Sequence, residues 1–211
     1  MARPHVLLTG FGPFPGVADN PSAWLAETLA EQRPASEFKL HARVLPTEWN
    51  AAARLPRLYQ SLQPHVMIHF GLSEHAAAFR IERSAHNRVA QRADARGALP
   101  KSPAIRAEGP DRFDTPFPAA ALAAHLRQNG LAAVTSRSAG AYLCNFLYYH
   151  SLDWARRQRS ARLVLFVHVP PWTRKRGPFS QEALLHGAGE TLRFVLRYAN
   201  DQEPFKTLGA R

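Results

Sequence analysis

The sequence predicts one α/β domain, in which helices cover both faces of a mostly parallel, twisted sheet. One observation and one general rule predict this three-layer α/β/α sandwich. Short apolar runs alternate along the chain with longer segments of helical period, and strands joined through helices tend to pair in parallel. No stretch has the composition of a linker, and 211 residues with 45% hydrophobic composition suffice for one core. Residues 1–211 are therefore expected to form a single domain.

Six apolar runs are predicted to be the strands of the sheet, and glycine, proline or polar residues bound them. They cover residues 5–10, 39–45, 66–71, 78–83, 132–137 and 163–168. The last run is apolar at every position before His168, so it is predicted to be a central strand that is buried on both faces.

Five segments are predicted to be the helices of the two outer layers. They cover residues 21–32, 51–62, 117–129, 143–159 and 180–198. Asn20 caps the first of them and Pro21 suits its first turn, while Gly130 closes the third. Residues 84–116 are polar and contain Gly and Pro, so a long excursion over the surface or into a site is expected there. The tail, residues 200–211, is expected to be loosely held.

Cysteine content and hydropathy indicate the cellular compartment. The chain has one cysteine, so it cannot form an internal disulfide, and a reducing compartment is expected. The apolar run near the N-terminus stops at Gly10, too early for the core of a signal peptide. No apolar run reaches the 18 residues of a membrane span. We therefore expect a soluble, cytoplasmic protein with no membrane partner.

The formal net charge of +11 raises nucleic-acid binding as a rival function. The densest basic clusters lie within residues 156–162 and 174–176, and neither belongs to a recognisable nucleic-acid motif. A solvated, arginine-rich surface explains the charge more simply, so nucleic acid is not expected to be a partner.

Cys144 is the first candidate for chemistry. It follows a turn of mostly small residues, 138–143, between a predicted strand and a predicted helix, which puts its sulfur in the first turn of that helix. The helix dipole there favours a thiolate, which is the nucleophilic form, and free amides of the same turn could hold an oxyanion. The alternative is a buried cysteine that serves only as a small apolar side chain.

A histidine at the end of a neighbouring strand could serve as the base that Cys144 needs. His168 ends the predicted central strand, and strand ends and helix starts meet at one edge of an α/β sheet. Neutral imidazole takes a proton near pH 7. His69 ends another strand and is a rival, although Gly71 beside it is more typical of a place where backbone meets a ligand.

A third group should orient the imidazole. Glu82 is a carboxylate inside a strand-like stretch, where it needs a partner, and it is the leading candidate. An ion pair with Arg83 is the alternative explanation for Glu82. Glu74 and Asp94 are weaker candidates for the same orienting role.

Metal and nucleotide sites are not expected. The chain has ten histidines, but His65 and His69 would lie about 13 Å apart on a strand, and no metal-binding motif is present. The glycines of residues 9–16 match no phosphate-loop pattern. Phe11 and Phe14, three apart in this glycine-rich turn, suit the wall of an apolar pocket better. No metal or other cofactor is therefore expected.

Four segments that occur in a fixed order carry a family resemblance. They are Thr9-Gly10-Phe11-Gly12-Pro13-Phe14 with Asn20-Pro21-Ser22, Ile81-Glu82-Arg83 with Asn87 and Arg92, Ser138-Ala139-Gly140-Ala141-Tyr142-Leu143-Cys144-Asn145, and Phe166-Val167-His168-Val169-Pro170. Together they resemble the pyrrolidone-carboxylate peptidase, or pyroglutamyl peptidase I, family of cysteine peptidases. The resemblance extends from about residue 5 to residue 198.

The resemblance implies that the chain is a peptidase that removes N-terminal pyroglutamate from peptides, by way of a thioester acyl-enzyme. Carried over by motif, Glu82 orients the base, Cys144 attacks, and His168 is base and then acid. The residues implied to bind substrate are Phe11, Phe14, Asn20, Gly71, Arg92 and Tyr142. Of these, the two phenylalanines would wall the lactam ring, the asparagine would support their loop, and the arginine would help to polarise the scissile carbonyl. The family is often oligomeric, so a homodimer or homotetramer is expected.

Two segments depart from the family's usual text. They are Gly71-Leu72-Ser73-Glu74-His75-Ala76 and Arg88-Val89-Ala90-Gln91-Arg92-Ala93-Asp94, and both are expected near the pocket. They leave the three catalytic candidates intact, but they motivate a second hypothesis. In that hypothesis the same triad hydrolyses another small amide or acyl substrate.

Overall fold

The computed structural model describes residues 3–32, 37–158, 162–172 and 179–202. Its strands are β1 (His5–Phe11), β2 (Lys39–Leu45), β3 (Val66–Leu72), β4 (Phe79–Glu82), β5 (Ser84–His86), β6 (Arg112–Asp114), β7 (Ala133–Ser136) and β8 (Leu163–Val169). Its helices are α1 (Pro21–Gln32), α2 (Leu55–Leu62), α3 (Ala119–Gln128), α4 (Leu143–Arg156) and α5 (Gln181–Asp201). Each predicted strand and helix is present, with ends that shift by a few residues.

Six strands form the main sheet in the order β2-β1-β3-β8-β4-β7. Four of its five strand pairs are parallel, which confirms the predicted mostly parallel sheet. The exception is the antiparallel pair of β4 with β8. Only residues 73–78 connect β3 to β4, and a parallel crossover needs about a dozen residues or more, so the chain reverses instead.

The helices cover both faces of the sheet. Side chains of α1, α3 and α5 form one apolar cluster with one face, and α2 and α4 form a second cluster with the other face. β8 lies between these layers with all seven residues buried, as its continuous apolar run predicted. Across the described residues, no helix combines the length and the apolar character that a membrane crossing requires.

Local signals explain most element ends. The Asn20 side chain accepts a hydrogen bond from the Ser22 amide at 3.2 Å, and Ser180 caps α5 in the same way through the Ala183 amide. A 3₁₀ turn, Trp49–Arg54, occupies the start of the predicted helix 51–62.

α5 continues through Asp201, so the beginning of the predicted loose tail is helical, and residues 203–211 lie outside the described residues. The basic residues 174–176 also lie outside them.

The long excursion after β4 is more ordered than residues 84–116 predicted. β5 and β6 pair with each other as a small antiparallel sheet. Between them, the Asn87 amide nitrogen donates to the carbonyls of Arg106 at 2.8 Å and Gly109 at 3.1 Å, and its oxygen accepts from the Arg106 amide. These bonds close the excursion into a folded loop against α4, where one end of the loop reaches the candidate site.

Candidate active site

A cavity of about 150 Å³ lies where β1, β3 and β8 end and α4 begins. It is lined by Phe11, Phe14, Asn20, Thr47, Leu72, Glu74, Arg92, Ala139, Gly140, Ala141, Tyr142, Leu143, Cys144 and His168. Seven of the nine residues that the sequence predicted for the site are in this lining. The other two, Glu82 and Gly71, lie behind it and contact its reactive groups. The cavity therefore lies at the edge of the sheet that the strand-end rule indicates.

Cys144 is the second residue of α4, so its sulfur lies in the first turn of the helix. Tyr142 is the N-cap residue in extended backbone, and Gly140 just before it has φ +86°, in the left-handed region that favours glycine. This sharp turn between β7 and α4 places residues 139–144 along the cavity. The thiol is partly exposed, so a substrate can reach it.

His168 and Glu82 form a buried hydrogen-bonded pair. The Nδ1 atom of His168 lies 2.8 Å from Oε1 of Glu82, whose side chain has no exposed surface. The antiparallel register sets Glu82 opposite Phe166, two residues before His168, so the two side chains share one face of the sheet. The hydroxyl of Tyr148 donates to the Glu82 carbonyl at 3.0 Å and fixes the end of β4.

The surroundings of His168 favour its charged form. Burial alone would lower the pKa of this histidine. The thiolate charge and hydrogen bond of Cys144, followed by the hydrogen bond and charge of Glu82, outweigh burial and raise the pKa to about 9. At neutral pH, His168 is therefore in its charged, imidazolium form.

Arg80, and not Arg83, is the arginine paired with Glu82. Its Nε atom lies 3.7 Å from Oε1, because residues 80 and 82 point to the same face of β4 while residue 83 follows the strand end. Arg80 also donates to the Ser136 hydroxyl at 3.1 Å, so it ties β4 to β7. The alternative explanation that assigned Glu82 to Arg83 is wrong.

The apolar wall of the cavity follows from the turn after β1. Phe11 is the last residue of β1, and the Asn20 amide nitrogen donates to the neighbouring Gly12 carbonyl at 3.1 Å. The Thr47 hydroxyl donates to the same carbonyl at 3.0 Å, a support that no motif indicated. Phe14 is held by two backbone bonds to Val17, at 3.1 and 2.8 Å. The loop that carries both phenylalanines is thus fixed from both sides.

Gly71 packs against the sulfur of Cys144 and does not line the open cavity. A Cβ atom at this position would lie 2.8 Å from Cζ of Phe166 and 2.9 Å from the sulfur of Cys144. Both distances are shorter than such contacts allow. The absence of a side chain therefore makes room for the thiol, which is a different use of the glycine from the expected backbone contact with a ligand.

Arg92 lies at the cavity mouth and is held by aromatic side chains. Its guanidinium carbon lies 4.7 Å from the centroid of the Tyr142 ring, a cation–π arrangement. The Tyr142 hydroxyl donates to the Ala93 carbonyl at 2.9 Å, and the Trp49 indole donates to the Arg92 carbonyl at 3.0 Å. The excursion is thereby folded back onto the start of α4.

Two rival candidates have other roles. His69 is fully buried, its Nδ1 lies 2.8 Å from the Thr9 hydroxyl, and burial lowers its pKa to about 3. It does not line the cavity. The Asp94 carboxylate accepts hydrogen bonds from the amides of Trp49, Arg96 and Ala98, and these bonds stabilise the loop in which it lies. Burial would raise the pKa of this carboxyl, but these amides outweigh burial and lower it. Neither side chain hydrogen-bonds to His168 within the described residues.

Asn145, beside Cys144, is a structural residue to which no motif in the sequence assigned a role. Its amide donates to the carbonyls of His86 at 2.8 Å and Arg88 at 3.1 Å, and its oxygen accepts from the His86 amide at 2.8 Å. The side chain is fully buried, so it anchors the excursion to the first turn of α4. Only its position next to Cys144 in the motif could have indicated this role.

Replacing Asn145 with alanine is expected to lower the free energy of unfolding by about 3 kcal/mol, because three buried hydrogen bonds lose their partner. Urea unfolding followed by tryptophan fluorescence measures the loss. The exposed Asn129, substituted in the same way, is the matched control and should cost less than about 1 kcal/mol. Equal losses in the two variants would contradict the anchoring role.

The described residues contain no group of three or more His, Cys, Asp or Glu side chains that could hold a metal ion. The chemistry available to the cavity is that of a thiol, an imidazole and a carboxylate, with helix amides and an arginine beside them. An α/β sheet that delivers these groups to one apolar cavity has the arrangement of a cysteine peptidase.

The chain belongs to the pyroglutamyl peptidase family, whose sequence model matches residues 4–175. Pyroglutamyl-peptidase 1 of Rattus norvegicus is 33% identical over 198 residues, which are 92% of this chain and 88% of that protein. A pyrrolidone-carboxylate peptidase of Chromobacterium violaceum is 36% identical over 167 residues, 78% of this chain and 77% of the other.

Solved structures agree with this assignment. The pyrrolidone carboxyl peptidase from Thermococcus litoralis superimposes with a TM-score of 0.82 at 27% identity, over 92% of this chain and 94% of that one. A mutant pyrrolidone carboxyl peptidase from Pyrococcus furiosus gives a TM-score of 0.84 at 27% identity, over 92% and 99%. The predicted family and the predicted fold are both confirmed.

Proposed function

We propose that the chain hydrolyses the amide bond after an N-terminal pyroglutamyl residue of peptides, with Cys144, His168 and Glu82 as its catalytic triad. The observation that carries the proposal is the cavity itself. It joins a partly exposed thiol in the first turn of a helix to a histidine whose other nitrogen is held by a buried carboxylate. Family membership supports the choice of substrate.

The cavity suits a pyroglutamyl group. This group is neutral and compact, so it favours an apolar slot with a few hydrogen-bonding groups over a charged one. Phe11 and Phe14 supply apolar walls, and Asn20 and Thr47 stabilise the loop that carries them. The small volume, about 150 Å³, fits one such ring better than a longer acyl chain.

The proposed reaction proceeds in two halves. The thiolate of Cys144 attacks the scissile carbonyl carbon, and the developing oxyanion is held by the Cys144 amide and by Arg92. The imidazolium of His168 donates its proton to the departing amine, which leaves a pyroglutamyl thioester and a free peptide. Neutral His168 then takes a proton from water, whose oxygen attacks the thioester and releases pyroglutamate. Glu82 holds the imidazole in place throughout.

The value of kcat/KM for a pyroglutamyl amide is expected to fall as pH rises through about 9. The raised pKa of His168 keeps the imidazolium–Glu82 pair intact up to that pH, and deprotonation above it removes the acid that the leaving amine needs. A pH profile of kcat/KM between pH 6 and 10.5 measures this limb. An alkaline limb centred near the ordinary histidine value of 6.5 would exclude the proposed pair.

The direct test is release of a fluorophore from a pyroglutamyl amide by the purified chain. A second function remains to be separated from the first, because Leu72 and Glu74 line the cavity and belong to a segment that departs from the family pattern. A panel of aminoacyl amides makes the separation. Cleavage of another small amide, with the pyroglutamyl amide inert, would favour the second function.

We also propose a reducing, cytoplasmic location and a homo-oligomeric state. A catalytic thiol without a second cysteine works best where thiols stay reduced. Val44 on the edge strand β2 and Val134 on the edge strand β7 are 40% and 48% exposed. Apolar side chains on open sheet edges support association between copies, either a dimer or a tetramer.

A further inference from the structure

Exposure divides the cavity lining into a buried interior and an open mouth. The interior consists of Phe11, Asn20, Thr47, Ala139, Leu143 and His168, all of which are buried. The exposed members of the lining are Glu74, Arg92 and Gly140. A pyroglutamyl ring that occupies the interior leaves the rest of the peptide at the mouth. The mouth, and not the interior, is therefore where the residue after pyroglutamate is recognised.

Glu74 is held at the mouth by the turn that follows β3. The amide of Ser73 donates to the Val169 carbonyl at 3.0 Å, and the amide of Ala76 donates to the Ser73 carbonyl at 2.9 Å. The turn is thus attached to the residue that follows His168 in β8. This attachment fixes the position of the Glu74 backbone relative to His168, and the residue lines the cavity.

The two charged side chains at the mouth, Arg92 and Glu74, differ in the contacts that they make with the rest of the protein. Arg92 is stacked on Tyr142, and its positive charge is the one assigned above to the scissile carbonyl. Among the described residues, no cation forms an ion pair with Glu74. A carboxylate at the mouth that no described cation neutralises attracts a cation on the bound peptide and repels an anion there.

We infer that Glu74 is a specificity residue that makes the site prefer pyroglutamyl peptides whose second residue is cationic over those whose second residue is acidic. The inference rests on the proposed function. It follows from the chain's own sequence, because Glu74 lies in the segment that departs from the family pattern. The net positive charge of the protein would otherwise favour acidic peptides.

The test compares two peptide amides, pyroglutamyl-lysine amide and pyroglutamyl-glutamate amide, with pyroglutamyl-alanine amide as the reference for each enzyme. Release of pyroglutamate is followed by chromatography, and kcat/KM is obtained for wild type and for Glu74→Gln. Surface charge pairs have modest effects, so the substitution is expected to lower the lysine-to-glutamate ratio by about fivefold. The wild-type ratio should also fall towards that of the variant in 1 M salt.

Glu31→Gln is the matched control, because Glu31 is an exposed carboxylate near the far end of α1, about 16 Å along the helix from Asn20. This variant should keep the wild-type ratio. If Glu74→Gln also keeps it while all three peptides are cleaved, the specificity inference is overturned and the proposed function stands. If wild type cleaves none of them, the proposed function fails, and the inference fails with it.

Discussion

Replacing Cys144 with alanine is expected to lower kcat/KM for a pyroglutamyl amide by at least about 1,000-fold, because the covalent route through a thioester is lost. The chain has no other cysteine that could take over the attack. The substitution removes one atom from a partly exposed position, so the fold should be kept. The fluorogenic amide assay measures the loss, and circular dichroism with a thermal melt verifies the fold.

Iodoacetamide provides a second readout of the same residue. Wild type should incorporate one carbamidomethyl group and lose activity in parallel, and Cys144→Ala should incorporate none. A folded Cys144→Ala or Cys144→Ser protein that retains more than about a tenth of the wild-type rate is incompatible with thiol catalysis. Because such a result does not depend on the His168 assignment, it isolates the role of the nucleophile.

Replacing Glu82 with glutamine is expected to lower kcat/KM by at least about 100-fold, since the neutral amide neither holds the correct tautomer nor stabilises the imidazolium. Glu82 is completely buried and hydrogen-bonded to His168 at 2.8 Å, so bulk solvent screens its charge little. The alkaline limb of the pH profile should also move to lower pH, because the carboxylate helps to raise the pKa of His168.

The chain offers a matched control for this variant in a second histidine–carboxylate pair. Nε2 of His125 lies 2.9 Å from Oε2 of Glu190, between α3 and α5 and outside the cavity lining. Glu190→Gln removes a comparable charge from a histidine and should leave both kcat/KM and the pH profile unchanged. Similar losses of activity in the two variants would show that the Glu82 effect is one of general stability.

Most of the fold could be predicted because its elements carry local signals. β8 is a continuous apolar run, and α1 begins at an Asn-Pro pair that forms a helix cap. The direction of β4 could not be predicted in the same way. Strand direction depends on which neighbour a strand pairs with, and that pairing is a tertiary contact, although the short connection before β4 was a usable signal.

In the candidate site, too, residues with a local signal could be predicted, and residues that depend on tertiary contacts could not. Cys144 and His168 occur at a helix start and a strand end, and such positions are visible in a single sequence. Thr47 and Asn145 act through hydrogen bonds to segments that are distant along the chain, so no local pattern marks them. The sequence marks Gly71 as a place of close backbone contact, but its contact with the Cys144 sulfur follows only from the packing of β3 against α4.

The pairing of Glu82 with His168 has a consequence for how the chain acquires activity. The two residues are 86 positions apart, and the contact requires β4 to pair with β8, one of the last strands in the chain. Loop-closure entropy makes such a long-range contact slow to form, so catalytic competence should arise late in folding. Ribosome-bound chains from which β8 has not yet emerged would therefore contain Cys144 without the His168–Glu82 pair that we propose as its base.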